Sequence, residues 1–565
     1  MKKIIIYQVF TRLYGNRCQT RKPFGTIEEN GCGKLNDFTP SVLKQIREMG
    51  VSHVWFTGVI RHATMTDYSK YGIPRQHPAV VKGRAGSPYA ITDYYDIDPD
   101  LAVDVDKRME EFEKLVSRTH RAGLKMIIDF VPNHVARQYK SICKPDGVRD
   151  LGEDDNPNVG FDPLNNNFYY CPGQQFMPYF ELYHGEVEPY TEIPAKATGN
   201  DCFHNAPTRN DWYETVKLNY GVDYYAGQNP SSVHSSQFFD ERSGRSERTV
   251  HSSASSPQTS YPSTWQKMLD ILLFWASKGV DAFRCDMAEM VPAAFWEWAT
   301  ARVRQQYPEI RFIGEVYNPS EYRHYIASGF DYLYDKVGMY DAMRDVICHR
   351  RNTDAITWAW QQTDDIRDHM LYFLENHDEQ RIASDFFAGN GEKAIPALVV
   401  NALMQKNPFM LYAGQEWGER GMDEEGFSGR DGRTTIFDYW SFNTRFSPLT
   451  PIYNKVLNIA HSEKAVSEGQ MFDVMYANSQ YFRQYAFLRK AGKEILLVVA
   501  NFDDVQLDMQ LMLPDHAFNY LEIQEKAYEA EDLLTGKKTS LVLLRDQSLS
   551  IPLPARGAVV LKLRG

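Results

Sequence analysis

Two hydrophobic rhythms alternate along this chain, and the switch between them repeats. An apolar stripe at helical spacing (Leu43, Ile46, Met49) leads to Gly50 and then to an apolar run over Val51–Val59. The same order returns with Met109, Phe112, Leu115 and Val116 before Gly123 and Lys125–Val131. It returns again with Leu269, Leu272, Leu273 and Ala276 before Gly279 and Val280–Asp286. Residues three and four apart share a helix face, whereas a run without polar alternation fits a strand buried on both sides. The glycine between them supplies the left-handed residue that ends the helix. Further strands are predicted over Ile4–Phe10, Arg311–Tyr317, Phe330–Lys336, Met370–His377 and Pro408–Glu416, with a last helix over Pro448–Gly469. Eight βα units predict an α/β fold, a closed (β/α)8 TIM barrel rather than an open doubly wound sheet.

Two regions break the rhythm. From Val135 to Tyr261 no βα repeat occurs, and Asn, Asp, Gly, Pro, Ser and Tyr dominate; Ser231–Ser260 is Ser-rich. This is too long for a loop and predicts a domain inserted after the third strand. From Gln470 onward come short apolar runs, Tyr485–Arg489, Ile495–Ala500 and Ala558–Leu563, spaced by turn residues. They predict a C-terminal antiparallel β-sandwich. The expected organisation is a barrel over 1–134 and 262–469, an insertion over 135–261 and the sandwich over 470–565.

Composition removes several function classes. The 565 residues are 43% hydrophobic and 24% charged, as in soluble globular chains. A net charge of −12 argues against nucleic acid and anionic membrane as partners. No apolar run approaches the roughly 20 residues needed to cross a bilayer. The 34 Tyr, 31 Phe and 10 Trp suit either stacking on sugar rings or a large core. The seven cysteines form no CxxC pair, which suggests neither zinc nor a disulfide framework and makes reduced thiols in the cytoplasm the expectation. The opening MKKIIIYQVF lacks a small-residue cleavage site and reads as a first strand, not a signal peptide.

Barrel enzymes carry their chemistry at the C-terminal ends of the strands. Here strand three ends in Asp129, Asn133 and His134, strand four in Arg284 and Asp286, strand five in Glu315, and strand seven in His377 and Asp378. Alternation puts Arg284 and Asp286 on one face and sends Cys285 into the helix layer. The arginine favours an ionised Asp286, as a nucleophile requires. Glu315 has no basic residue two positions away, which leaves it freer to keep a proton for a leaving oxygen. A lone strand-end aspartate is commonly a cap or an ion-pair member; four such ends on one barrel point to acid/base chemistry of the glycosidase kind.

The stretches DFVPNH, GVDAFRCD, FIGEVY and ENHDEQR resemble, in order, the four signature regions of glycoside hydrolase family 13, the α-amylase family. Supporting matches are Tyr7–Phe10, Ser87–Tyr94 and Leu411–Glu416, so the resemblance covers the whole barrel. It implies Asp286 as nucleophile, Glu315 as acid/base and Asp378 as a third carboxylate on the reacting ring's hydroxyls. Arg284 would hold the nucleophile, His134 and His377 would hydrogen-bond the sugar, and Tyr89 would lie under it. Asp129 would be structural. The implied reaction is retaining double displacement on α-1,4-linked gluco-oligosaccharides, maltodextrin or starch, with carboxyls about 5–5.5 Å apart. No cofactor is required for the chemistry, but the family's structural calcium implies a ligand role for Asn133. The run Asp150–Asp155 offers hard oxygen ligands or else a solvated loop.

The sequence also departs from the family pattern. Glu289 and Met290 stand where many α-amylases carry Lys-His, and Met287 follows the nucleophile. In Glu29–Lys34 a lysine replaces the aspartate of a second calcium loop, so that site is expected to be absent. Lys217–Tyr220 reads as a remnant of a fifth signature. Trp212, Tyr213, Tyr220, Tyr224 and Tyr225 would either stack on glucosyl units or build the insertion's core. Rival readings are a transglycosylase or isomerase of the same family and a non-catalytic carbohydrate-binding barrel.

Overall fold

In the computed structural model, which describes residues 2–183, 185, 187–225, 261–422 and 426–564, eight parallel strands close into a barrel. They are β1 (Ile5–Phe10), β2 (His53–Thr57), β3 (Lys125–Phe130), β4 (Ala282–Cys285), β5 (Arg311–Gly314), β6 (Tyr332–Tyr334), β7 (Met370–Phe373) and β8 (Phe409–Tyr412). Each pairs with its sequence neighbours, and β1 pairs with β8 to close the ring. The TIM barrel read from the hydrophobic rhythm is therefore the fold. Several strands are shorter than expected. The runs after Gly314, Phe373 and Tyr412 leave the sheet, and these departing segments carry the polar groups of the barrel mouth.

The three glycines between helix and strand behave as the pattern requires. Gly50, Gly123 and Gly279 have φ of 96°, 75° and 90°, a region costly for any residue with a Cβ. The helices before them span Pro40–Glu48, Arg108–Arg121 and Ser263–Ser277. The last barrel helix differs from the expected Pro448–Gly469. It is broken at Glu463, whose ψ of 123° is extended, leaving Thr450–Ser462 and Lys464–Ser467.

Alternation along the strands sorts the core into two shells. Ile6, Trp55, Ile127, Ala282, Ile313, Tyr334, Leu371 and Met410, one from each strand, fill the barrel interior. Their neighbours in sequence, such as Phe283, Cys285 and Phe312, join the larger core under the helices. One step of two residues beyond the interior layer brings Gln8, Thr57, Asp129, Arg284 and Glu315 to the C-terminal face.

A hairpin between β2 and β3, Ile60–His62 against Ile91–Ile97, was not foreseen from the sequence. In the region after β3, His134–Ala136 pairs antiparallel with Thr215–Lys217, and Tyr170–Cys171 with Ala195–Lys196. The Ser-rich stretch Ser231–Ser260 lies outside the described residues. Beyond the barrel, one six-stranded sheet runs Gln470–Asp473, Gln484–Ala491, Glu494–Asn501, Gly557–Arg564, Lys526–Asp532, Lys538–Leu543. A second sheet pairs Leu507–Leu513 with Gln547–Leu553, and both sheets are antiparallel. No helix among the described residues is long and apolar enough to cross a membrane. All seven cysteines are free thiols.

Candidate active site

Arg284 is the centre of the barrel mouth. Its Nη1 donates to Asp286 Oδ1 at 2.8 Å and lies 3.6 Å from Asp129 Oδ1. Its Nη2 lies 2.8 Å from Glu315 Oε2, an ion pair too bent to count as a hydrogen bond. The guanidinium carbon sits 5.2 Å, 5.4 Å and 5.6 Å from the ring centres of Trp55, Tyr89 and Tyr334. Burial works against this charge, but Glu315, Tyr334, Tyr89 and Asp286 around it hold Arg284 firmly protonated.

The sequence assigned the arginine to Asp286 alone and expected Glu315, with no basic residue two positions away, to stand clear of any cation; that expectation fails, because Arg284 lies 2.8 Å from it. The barrel register is the reason. Arg284 stands beside Asp129 on β3 and Ile313 on β5, so Glu315, two residues further along, reaches the same guanidinium. Burial pushes the Asp286 carboxyl well above the ordinary range. Arg284 opposes the rise, while Glu315 and Asp378 add to it. Asp129 is pushed up to about 6 by burial and is steadied by Trp55 Nε1 at 3.2 Å and the Gly58 amide at 3.1 Å. One cation thus serves several buried carboxylates.

Glu315 is held on both oxygens. Oε2 accepts from the Met287 amide at 2.8 Å, and Oε1 from the Tyr317 hydroxyl at 2.6 Å. Met287 adopts φ of 44°, a strained left-handed turn that aims its N–H at the neighbouring strand. Glu289 accepts from the amides of Tyr317 at 3.2 Å and Asn318 at 3.0 Å, so this departure from the family pattern pins the loop after β5.

Asp378 completes the carboxylate group. Its side chain is 35% exposed, and Oδ2 lies 3.0 Å from His377 Nε2. Its partial enclosure in the mouth and then Glu315 push it up to about 7. His377 is enclosed: Nδ1 lies 2.8 Å from Gln8 Nε2, and Tyr89 stacks on the ring at 5.4 Å and hydrogen-bonds Nε2. Assigning the Gln8 nitrogen as donor puts the ring's proton on Nε2, towards Asp378. Burial and Arg284 hold His377 well below its usual range, so the ring is neutral. His134 is likewise neutral, pushed down to about 3 by burial, Lys217 and Lys82, with Trp212 edge-on at 5.3 Å.

The oxygens expected to hold calcium are already engaged. Asn133 Oδ1 accepts a hydrogen bond from the Lys217 ammonium, which also lies 2.9 Å from Asp201 Oδ1. A divalent cation does not fit beside that ammonium. The acidic run is neither an open ligand set nor a free loop. Asp150 accepts from Tyr139 and Ser141, and Asp155 from the amides of Asn167 and Phe168. Asp154 pairs with Arg149, and Lys267 Nζ donates to the Asp150 carbonyl at 2.7 Å. At the second calcium loop, the Lys34 ammonium donates to the Asp100 carbonyl. Among the described residues one cluster has metal-ligating side chains in reach of each other, Asp93, Asp96 and Cys143. Its carboxylates are paired with Arg61 at 3.1 Å and 3.0 Å and with Arg108 at 2.6 Å.

The structure therefore gathers Asp286, Glu315, Asp378, Arg284, His377 and Tyr89 around one mouth, with His134 and Asn133 beside the inserted segment. Sequence reasoning missed Tyr317, although it stands two residues from Glu315. It also missed Gln8 and Trp55, which hold His377 and Asp129. Of the tyrosines left open, Tyr213 packs in the insertion's core, and Tyr220 is buried with its hydroxyl on the Pro132 carbonyl at 2.7 Å.

Comparison with known proteins identifies the family. The family model "Alpha amylase, catalytic domain" matches residues 21–150 and 200–475, and "Alpha amylase, C-terminal all-beta domain" matches 477–564. Alpha-amylase 3 of Dictyoglomus thermophilum is 22% identical over 496 residues, covering 80% of this chain and 82% of that one. Neopullulanase 2 of Thermoactinomyces vulgaris is 20% identical over 535 residues, covering 91% and 72%. The solved structure of a noncanonic maltogenic α-amylase from Thermotoga neapolitana superposes with a TM-score of 0.62 at 19% identity, covering 100% of this chain and 99% of that one. The chain belongs to the α-amylase family, glycoside hydrolase family 13.

Proposed function

We propose that this glycoside hydrolase cleaves α-1,4-linked gluco-oligosaccharides, maltodextrin or starch by retaining double displacement. Asp286 attacks the anomeric carbon while Glu315 protonates the leaving oxygen. Glu315 then takes a proton from the water that releases the sugar. Asp378, His134 and His377 bind the reacting ring's hydroxyls, and Tyr89 forms its floor.

The observation that carries this reading is the shared guanidinium. Asp286 and Glu315 each stand 2.8 Å from a terminal nitrogen of Arg284. Two carboxyls tied to one such group favour the shorter spacing of about 5–5.5 Å that leaves no room for an attacking water between them. The neutral histidines fit an uncharged polyol: each keeps an Nε2–H donor without a net charge buried against the sugar.

The test is a substrate panel. Maltooligosaccharides of increasing length, isomaltose, sucrose and trehalose are incubated with the protein and with Asp286→Asn, and products are separated by chromatography. Shorter maltooligosaccharides from the native protein, and none from a folded Asp286→Asn, are expected. Longer products would assign transfer to a second sugar. Cleavage of isomaltose alone would overturn the linkage assignment, and near-native turnover by Asp286→Asn would overturn the nucleophile.

A further inference from the structure

Lys217 ends the short strand that pairs with His134–Ala136, its backbone standing opposite His134. Its side chain is only 2% exposed, yet it ends in an ammonium group. That group is surrounded by oxygens from three separate segments: Asn133 Oδ1 after β3, Asp201 Oδ1 at 2.9 Å in the insertion, and the Met290 carbonyl at 3.4 Å after β4. The face of Tyr224 lies 5.5 Å away. A side-chain amide, a carboxylate and a carbonyl around one enclosed point are the donors a hard divalent cation would take. Here a covalently attached cation takes them.

The arrangement has a consequence for His134. An amide has one oxygen. With Asn133 Oδ1 turned to the ammonium, Nδ2 must face the other way, where it donates to the Gly199 carbonyl at 2.8 Å and lies 3.1 Å from His134 Nδ1. A ring nitrogen facing an amide N–H acts as acceptor, so the neutral ring carries its proton on Nε2. The ammonium thus sets the amide, and the amide sets the tautomer and orientation of the histidine.

We infer that Lys217 is a built-in cation that replaces a structural metal at the junction of barrel and insertion, and acts through Asn133 as a positioning residue for His134. The positioning half rests on the reading of His134 as a sugar ligand; the metal-replacement half does not. A protein built this way needs no divalent ion for stability. Removing the ammonium leaves a partly buried carboxylate and a buried amide oxygen without their partner. It also frees the Asn133 amide to flip.

Two measurements test this. First, the native protein is dialysed against a chelator and melted with and without added calcium. The same Tm and kcat/KM in both conditions are expected; a melting temperature that falls on chelation and returns with calcium overturns the built-in cation. Second, kcat/KM on maltotriose is measured for Lys217→Met, for His134→Ala and for the double variant, at a temperature where circular dichroism shows each folded. Lys217→Met is expected to lose about ten-fold or more in the native background and little further in the His134→Ala background, because the two act in series. A folded Lys217→Met with native kcat/KM, or equal losses in both backgrounds, overturns the positioning role. Should Lys217→Met fail to fold, Asn133→Asp keeps an oxygen for the ammonium and removes the N–H that faces His134 Nδ1; a several-fold loss that is absent in the His134→Ala background is then expected, and native kinetics overturn the positioning role. Native protein inactive on every α-glucoside would overturn the proposed reaction and leave the chelation arm intact.

Discussion

Replacing Arg284 by Met, a residue of similar length without charge, removes the one cation shared by Asp286, Glu315 and Asp129. At an effective dielectric of about 20, a unit pair at the 2.8 Å seen between Arg284 and Asp286 attracts by ~6 kcal/mol. Desolvation of the guanidinium offsets part of that. Removing one member of a buried pair costs about 3–5 kcal/mol, because the other charge is left buried alone. Where a cost of that size falls on the transition state, whose Asp286 and Glu315 lose their shared partner, kcat/KM drops on the order of a hundred-fold to several thousand-fold. The direction with pH follows from the same contacts. Burial, Glu315 and Asp378 already raise the Asp286 carboxyl, and Arg284 is the group opposing them. Without it the nucleophile ionises at still higher pH, so the acidic limb of the pH–kcat/KM profile moves upward. The assay is kcat/KM on an aryl maltooligoside across pH, with circular dichroism to confirm the fold. A folded Arg284→Met within ten-fold of native activity and with an unmoved acidic limb would refute the shared-guanidinium reasoning.

Two further outcomes follow from individual contacts. Tyr317→Phe deletes the hydroxyl that donates to Glu315 Oε1 at 2.6 Å; a net hydrogen bond that orients this carboxyl is worth about 0.5–1.5 kcal/mol, so kcat should fall ~2- to 10-fold with KM little changed, and an unchanged kcat would dismiss Tyr317 as a support of the acid/base. Glu416 is fully buried against Tyr7 and is pushed up from 4.5 to about 7 by burial. The folded state holds this proton more tightly than the unfolded chain does. The stabilisation is therefore complete below about pH 4.5 and is lost by about pH 7, an effect on the order of 3 kcal/mol. Glu416→Gln should shrink the fall in Tm between mildly acidic and mildly alkaline buffer, and an unaltered Tm difference would contradict that assignment.

What the sequence made legible was whatever depends on local period. Alternation along β4 sufficed to put Arg284 and Asp286 on one face and Cys285 behind them. Helix stripes ending at Gly50, Gly123 and Gly279 located the βα units. What it hid depends on the stagger between strands and on contacts across the insertion. Nothing in the order of residues says that Glu315 reaches the guanidinium assigned to Asp286; only the register of β4 against β5 does. The Lys217–Asn133 contact spans 84 positions, across a segment with almost no regular structure to carry a periodic signal. Strand ends were overextended for a related reason. Apolar residues continue past Gly314 and Phe373, but they pack under departing loops rather than in the sheet. The partners of the acidic run, Lys267 and Arg149, could not be told from solvent by composition alone.

The central claim is that Asp286 forms a glycosyl-enzyme that Glu315 helps to make and to break. The product formed by Glu315→Ala tests it most directly. An aryl maltooligoside with a good leaving group needs no proton in the first step, so this variant should still load Asp286 and then stall. Added azide needs no general base and should restore turnover, releasing a glycosyl azide whose anomeric configuration is read by NMR. The account predicts the α-azide, the product of two successive inversions. A β-azide would show a single direct displacement at the anomeric carbon, and would contradict Asp286 as the nucleophile of a retaining mechanism.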